Sequence, residues 1–154
     1  MVIRDFDRQK YISAIEVSEL VRCLPREHTQ NIQSIWYKPA SEFVAIGVPV
    51  EAGIKGAYFP EYRTIVVYDL VSKSLAKHII AHEIGHYVYQ TVLTSYKRKE
   101  WAQQIGGKPP FVSEYARTNV AEDFSECYAT YTLNSNDIKL SSKKANFLRV
   151  NVFR

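Results

Sequence analysis

The sequence predicts an α+β domain: a small mixed sheet over a long helix, followed by a helical C-terminal half. Three observations carry that expectation. Short apolar runs punctuated by Pro39 and Pro60 fill the stretch from residue 32 to residue 68. From Ser72 the apolar residues change to helical spacing, with Ile80, Ile84 and Val88 on one stripe. A second helical run follows Asn119, with no strand pattern after it. A chain of 154 residues suffices for one core, so residues 1–154 are expected to form a single domain.

Each element has its own signal. Ile12, Ile15, Leu20, Cys23 and Leu24 recur at helical spacing, so Tyr11 to Leu24 reads as an amphipathic helix stopped by Pro25. Ile32 to Tyr37 reads as a strand ended by Pro39, and Phe43 to Gly47 as a short apolar strand. Gly56 to Phe59 and Thr64 to Tyr68 read as two strands joined by Pro60-Glu61-Tyr62-Arg63. Ile65 to Tyr68 is apolar on both faces, which suits an interior strand, while proline beside Phe59 suits an edge. Ser72 or Ser74 can cap a helix running to about Tyr96. Gly85 within it costs about 1 kcal/mol relative to alanine, so close packing is expected there. Gly106 to Pro110 is a loop. Thr118 or Asn119 can cap a helix from Val120 to Leu133, ended by Asn134 to Asp137, and a short helix is expected from Ser141.

Composition excludes several classes. With 46% hydrophobic and 23% charged residues the chain is an ordinary globular one, and it contains no transmembrane run. The first residues lack the apolar core of a secretory signal. The expected compartment is therefore the cytoplasm, or the exterior if the chain is a processed mature form. Cys23 and Cys127 make no disulfide framework and are expected to be reduced. The charge surplus of +4 gathers at Lys97-Arg98-Lys99 and at Lys139, Lys143, Lys144, Arg149 and Arg154. No nucleic-acid motif accompanies it, so a solvated positive face is expected and nucleic acid is not expected as a partner.

The chemistry lies in His82-Glu83-Ile84-Gly85-His86, a H-E-x-x-H pattern. Residues four apart share a helix face, so both imidazoles can aim at one metal ion, with Glu83 placed to take a proton from a water beside it. A catalytic zinc needs a third protein ligand and keeps a fourth position open. The other histidines are His28 and His78, and none follows His86. Three histidines stacked along a straight helix converge poorly, so His78 is expected at the surface or behind the ligands, and His28 at the surface. The third ligand should be a downstream carboxylate from among Glu100, Glu114, Glu122, Asp123 and Glu126. Glu122 and Glu126 stand one turn apart on the second helix. Glu122, nearer its start, is assigned to the metal, and Glu126 to a hydrogen bond from a ring N–H of His82 or His86. Acidic residues near a helix start also favour the helix dipole with no metal at all.

The segment from Tyr115 to Tyr128, Tyr-Ala-Arg-Thr-Asn-Val-Ala-Glu-Asp-Phe-Ser-Glu-Cys-Tyr, resembles the second active-site segment of the anthrax lethal factor-like metallopeptidases. The secreted Pro-Pro endopeptidases of clostridia and bacilli belong to the same broad group. The resemblance spans roughly Gly56 to Leu133. It implies a zincin-like fold and one Zn2+ per chain held by His82, His86 and Glu122. It also implies Glu83 as base and Tyr115, seven residues before Glu122, as stabiliser of the oxyanion. The implied activity is a zinc endopeptidase acting on a peptide or protein through a Glu-activated, zinc-acidified water. From the general layout of zinc peptidases, the edge strand Gly56, Ala57, Tyr58 and Phe59 would hold the substrate, with at most one of the two aromatics lining the cleft. Two other readings stand beside it. One is a cytosolic regulatory metallopeptidase that cleaves a repressor-type protein. The other is a non-catalytic, zinc-containing binding module with a basic tail.

Overall fold

The computed structural model describes residues 1–45, 55–134, 137 and 139–154. It is an α+β fold in which four strands form one mixed sheet. By its contacts the chain divides into two compact units, Met1–Glu83 and Ile84–Arg154, and one helix runs through the division.

In the first unit the strands are β1 (Val2–Arg4), β2 (Ser34–Tyr37), β3 (Gly56–Phe59) and β4 (Thr64–Val67), in the order β1-β2-β4-β3. β1 and β4 both pair parallel to β2, and β3 pairs antiparallel to β4. Every residue of β4 is buried, as an interior strand of Ile and Val requires, and β3 is an edge. β1 was not expected. Three residues carry too little pattern to announce a strand, and this one exists because β2 offers it a partner, with Ile3 opposite Ile35.

Three expectations are corrected here. The strand expected from Phe43 is instead helix α2 (Ala40–Ala45), whose first N–H is held by the Asp69 carboxylate at 3.2 Å; residues 46–47 lie outside the described residues. The helix expected from Tyr11 begins later, as α1 (Ala14–Arg22). Ser13 accepts from the Glu16 N–H and Glu16 accepts from the Ser13 N–H, a capping box that starts the helix there. The Gln9 side chain meanwhile binds the Tyr11 and Ile12 N–H groups outside it. Ile15 and Cys23 of the proposed stripe are exposed, and Val17 is the residue of α1 that is buried. His28, expected at the surface, is fully buried in a 3-10 turn.

Helix α3 (Lys73–Tyr87) starts where Ser72 accepts from the Leu75 N–H, so Ser72 rather than Ser74 caps it. Its Ile80 and Ile84 are buried, as is Val88 beyond it. It does not continue as an α-helix to Tyr96. Val88–Val92 is a π-helical turn, Leu93 is extended, and Thr94 caps a new helix, α4 (Ser95–Glu100). Arg98 donates to the carbonyls of Gln90 at 2.9 Å and Leu93 at 2.6 Å, groups that the broken helix leaves without intrahelical partners.

In the second unit α5 (Val120–Leu133) and α6 (Ser142–Asn151) match their expected positions, capped by Asn119 and Ser141. Trp101 is the fully buried centre of an aromatic cluster. Its ring centroid lies 5.2 Å from those of Phe124 and Phe147, and its indole N–H donates to the Val120 carbonyl. A correction to the charge reading lies beside it. Lys144, counted in the basic face, is buried and paired with Asp123 at 2.8 Å. Asp123 also accepts from the Gly107 N–H at 2.9 Å and the Cys127 thiol, and Lys144 donates to the Pro110 carbonyl at 3.0 Å. Both cysteines are free, as expected. Among the described residues no helix is long and apolar enough to cross a membrane.

Two predictions follow from these contacts. Lys144→Ala strands a buried carboxylate and should cost about 3–5 kcal/mol in urea unfolding. Asp123→Asn/Lys144→Met, which keeps an acceptor for Gly107 and buries no charge, should recover most of that. At the first helix, the Lys73 ammonium and the Ser13 N–H hold the Glu16 carboxyl down at about 2. Its contribution to stability is complete above the ordinary carboxylate range and lost as pH falls from about 4.5 towards 2. Melting at pH 6 and pH 3 should show a larger acid loss for the native chain than for Glu16→Gln.

Candidate metal and catalytic site

α3 carries His78, His82 and His86 at successive turns, so one face of a single helix presents three imidazoles. The His78 and His82 rings stand 6.5 Å apart, and His82 and Glu83 are both buried. An ionisable pair is not buried in a helix of this kind without partners that repay its desolvation.

In the second unit, the α3 residues from Ile84 onward lie against α5 at very close range. A Cβ on Gly85 would stand 2.9 Å from the Ser125 Cα, so glycine is required by the approach of the Ser125 backbone. The close packing expected at Gly85 is therefore present, and Ser125 is what fills it. The start of α5 is equally determined. The Asn119 side chain accepts from the N–H groups of Ala121 at 2.9 Å and Glu122 at 3.0 Å, which sets the backbone of Glu122 itself.

That placement brings Glu122 Oε2 to 3.2 Å from His86 Nε2. That is an ordinary ion-pair distance, and it also fits two ligands of one tetrahedral ion, which stand about 3.3 Å apart when bonded at about 2.0–2.1 Å. Among the described residues two groups of three offer ligand atoms within 4.8 Å of one another: His82, His86 and Glu122, and His78, His82 and Glu126. Two imidazole nitrogens and one carboxylate form a donor set suited to a catalytic zinc with one position open.

Three of the four other candidate carboxylates are engaged elsewhere. Glu100 pairs with Lys97 at 2.7 Å, Glu114 with Arg117 at 3.1 Å, and Asp123 with Lys144. Glu126 is buried and falls in the second of the two groups. His78 is half-buried and belongs to the same group. Tyr115 opens a 3-10 turn (Tyr115–Arg117) that leads through Thr118 into the Asn119 cap, and it is 44% exposed.

In the first unit Glu83 has neighbours that sequence reasoning did not name. A Cβ on Gly56 would lie 3.0 Å from Glu83 Oε1, so the edge strand begins against the carboxylate. Burial pushes the Tyr68 phenol up to about 12, and the charge of Glu83 adds to the shift. Gly56 faces α3, and strand alternation puts Tyr58 on the same side. Phe59 instead lines a groove on the other face of the sheet with Trp36 and Val66. The aromatic on the α3 side of the edge strand is therefore Tyr58. The one signal that pointed to these neighbours was glycine at the start of a strand, which often marks a close approach.

No protein-family model matches this chain, and no curated protein matches it.

Gly85→Ala should destabilise the protein by about 1–3 kcal/mol in chemical unfolding, since the methyl group would meet backbone rather than a movable side chain. Ser125→Ala, which keeps the small volume, should unfold within about 1 kcal/mol of the native chain.

Proposed function

We propose that this protein is a zinc-dependent endopeptidase with a zincin-like active site. The observation that carries the reading is the Glu122 carboxylate, 3.2 Å from His86, one turn along from His82 on the helix of the H-E-x-x-H motif. His82, His86 and Glu122 would hold the ion. When bound, zinc supplies a Lewis acid that lowers the pKa of water to about 7 and polarises a carbonyl.

The chain's own groups do the rest. Glu83, held beside Gly56 and Tyr68, takes a proton from the attacking water and returns it to the departing amine. Tyr115, half-exposed and seven residues before Glu122, donates its phenol to the carbonyl oxygen as negative charge grows there. Glu126 accepts from His82 and keeps that ring oriented. Among the described residues no strand pairs with the outer edge of β3, where an extended peptide would add as a further strand beside Glu83.

The resemblance of both motifs to the lethal factor-like metallopeptidases agrees with this assignment. A binding module relying on a basic tail is less well supported, because Lys144 is buried against Asp123 and Lys143 is turned to the Gln104 carbonyl.

Zinc-loaded protein incubated with a diverse peptide mixture should produce cuts detectable by mass spectrometry. Glu83→Ala should still bind one zinc and reduce cleavage by about 10²–10⁴-fold. Cuts that persist unchanged in that variant, or a native chain that binds zinc and cuts nothing, would overturn the reading.

A further inference from the structure

The first residue of the edge strand has a feature that peptide binding alone does not require. A strand that recognises substrate through its backbone tolerates side chains on both faces. Gly56 does not. A Cβ built there would lie 2.6 Å from Ile79 Cγ2, 3.0 Å from Glu83 Oε1 and 3.1 Å from Glu83 Cγ. Two of these three atoms belong to the proposed base. Ile79 and Glu83 are one turn apart on α3, so the Gly56 Cα rests in the notch between them. Glu83 is only 5% exposed, so its carboxylate is packed beside this notch rather than free in solvent.

We propose that Gly56 is a positioning residue: the absence of a side chain at the head of β3 holds the Glu83 carboxylate in its reactive place and keeps open the space beside Oε1. This rests on the endopeptidase reading. The reasoning is steric. Gly56 is held by its pairing opposite Val67, and Val67 is fully buried, so the strand cannot retreat from an added methyl group. Ile79 is buried as well. The remaining soft degree of freedom is the Glu83 side chain, whose torsions can rotate the carboxylate away. A displaced base lowers the rate of the chemical step and leaves the backbone edge that binds substrate in place.

The test compares Gly56→Ala, Ile79→Leu and Gly56→Ala/Ile79→Leu in the full-length, zinc-loaded protein, using a peptide identified from the mixture. Leucine removes the Cγ2 branch, so the double variant relieves crowding at residue 79 and leaves crowding at Glu83. Gly56→Ala should lose about tenfold to a hundredfold in kcat with KM within about twofold, and retain one zinc. The double variant should regain melting temperature without regaining kcat. Crystal structures of Gly56→Ala and the native chain should show the Glu83 carboxylate moved.

Native kcat in Gly56→Ala, or kcat restored by Ile79→Leu, would overturn the proposal. So would an unmoved Glu83 in the crystal. A native chain with no cleavage at all would instead sink the endopeptidase reading. The crystal comparison would still decide whether Gly56 sets the position of Glu83.

Discussion

The buried ion pair between Asp123 and Lys144 is the constraint on which the second unit depends. Asp123 follows Glu122 directly, and successive residues on an α-helix point about 100° apart. Holding Asp123 therefore sets the rotation of α5 about its axis, and with it the direction of Glu122. Burying two charges costs several kcal/mol, which is offset only when each is fully partnered. Here Lys144 has both carboxylate oxygens and the Pro110 carbonyl, and Asp123 has in addition the Gly107 N–H and the Cys127 thiol. The Lys144 ammonium also lies 4.7 Å from the Phe111 ring centroid. One pair thus ties α5, α6 and the loop after Ile105 together.

A second constraint acts at the other end of the same geometry. Gly85 admits the Ser125 backbone at a distance no side chain would allow. Asn119 holds the first N–H groups of α5, including that of Glu122. A helix fixed at its cap, in its rotation and along one side leaves the Glu122 carboxylate little freedom, and it stands at a ligand-to-ligand distance from His86. Preorganisation of this kind suits a metal site, since ligands already in place lose less entropy on binding.

Glu83 is governed by a different set of neighbours. Burial and the partners at Gly56, Ile79 and Tyr68 define its surroundings within the first unit. The basic surplus also acquires a structural meaning. Arg98 satisfies carbonyls at the end of the π-helical turn and Lys144 neutralises Asp123, so part of the net charge serves the fold.

What was legible in the sequence was local. H-E-x-x-H at helical spacing, a cap at Thr118 or Asn119, the α5 boundaries, a short helix from Ser141 and the β3–β4 hairpin follow from residue identity and period, because each is set by neighbours within a few positions. β1, α2 and the break after Tyr87 were not legible. β1 needs a partner 32 positions away, with Val2 opposite Ser34, α2 needs the Asp69 carboxylate, and the helix break is sealed by Arg98 from the following turn. Glu122 was assigned to the metal from its place on the helix, although Asp123 stood beside it with the same chemistry. Where each carboxylate goes was decided by the tertiary structure, which turns Glu122 towards His86 and buries Asp123 against Lys144. The physical reason is that a residue's type states which interactions it can make, and the packing of distant segments decides which partner arrives.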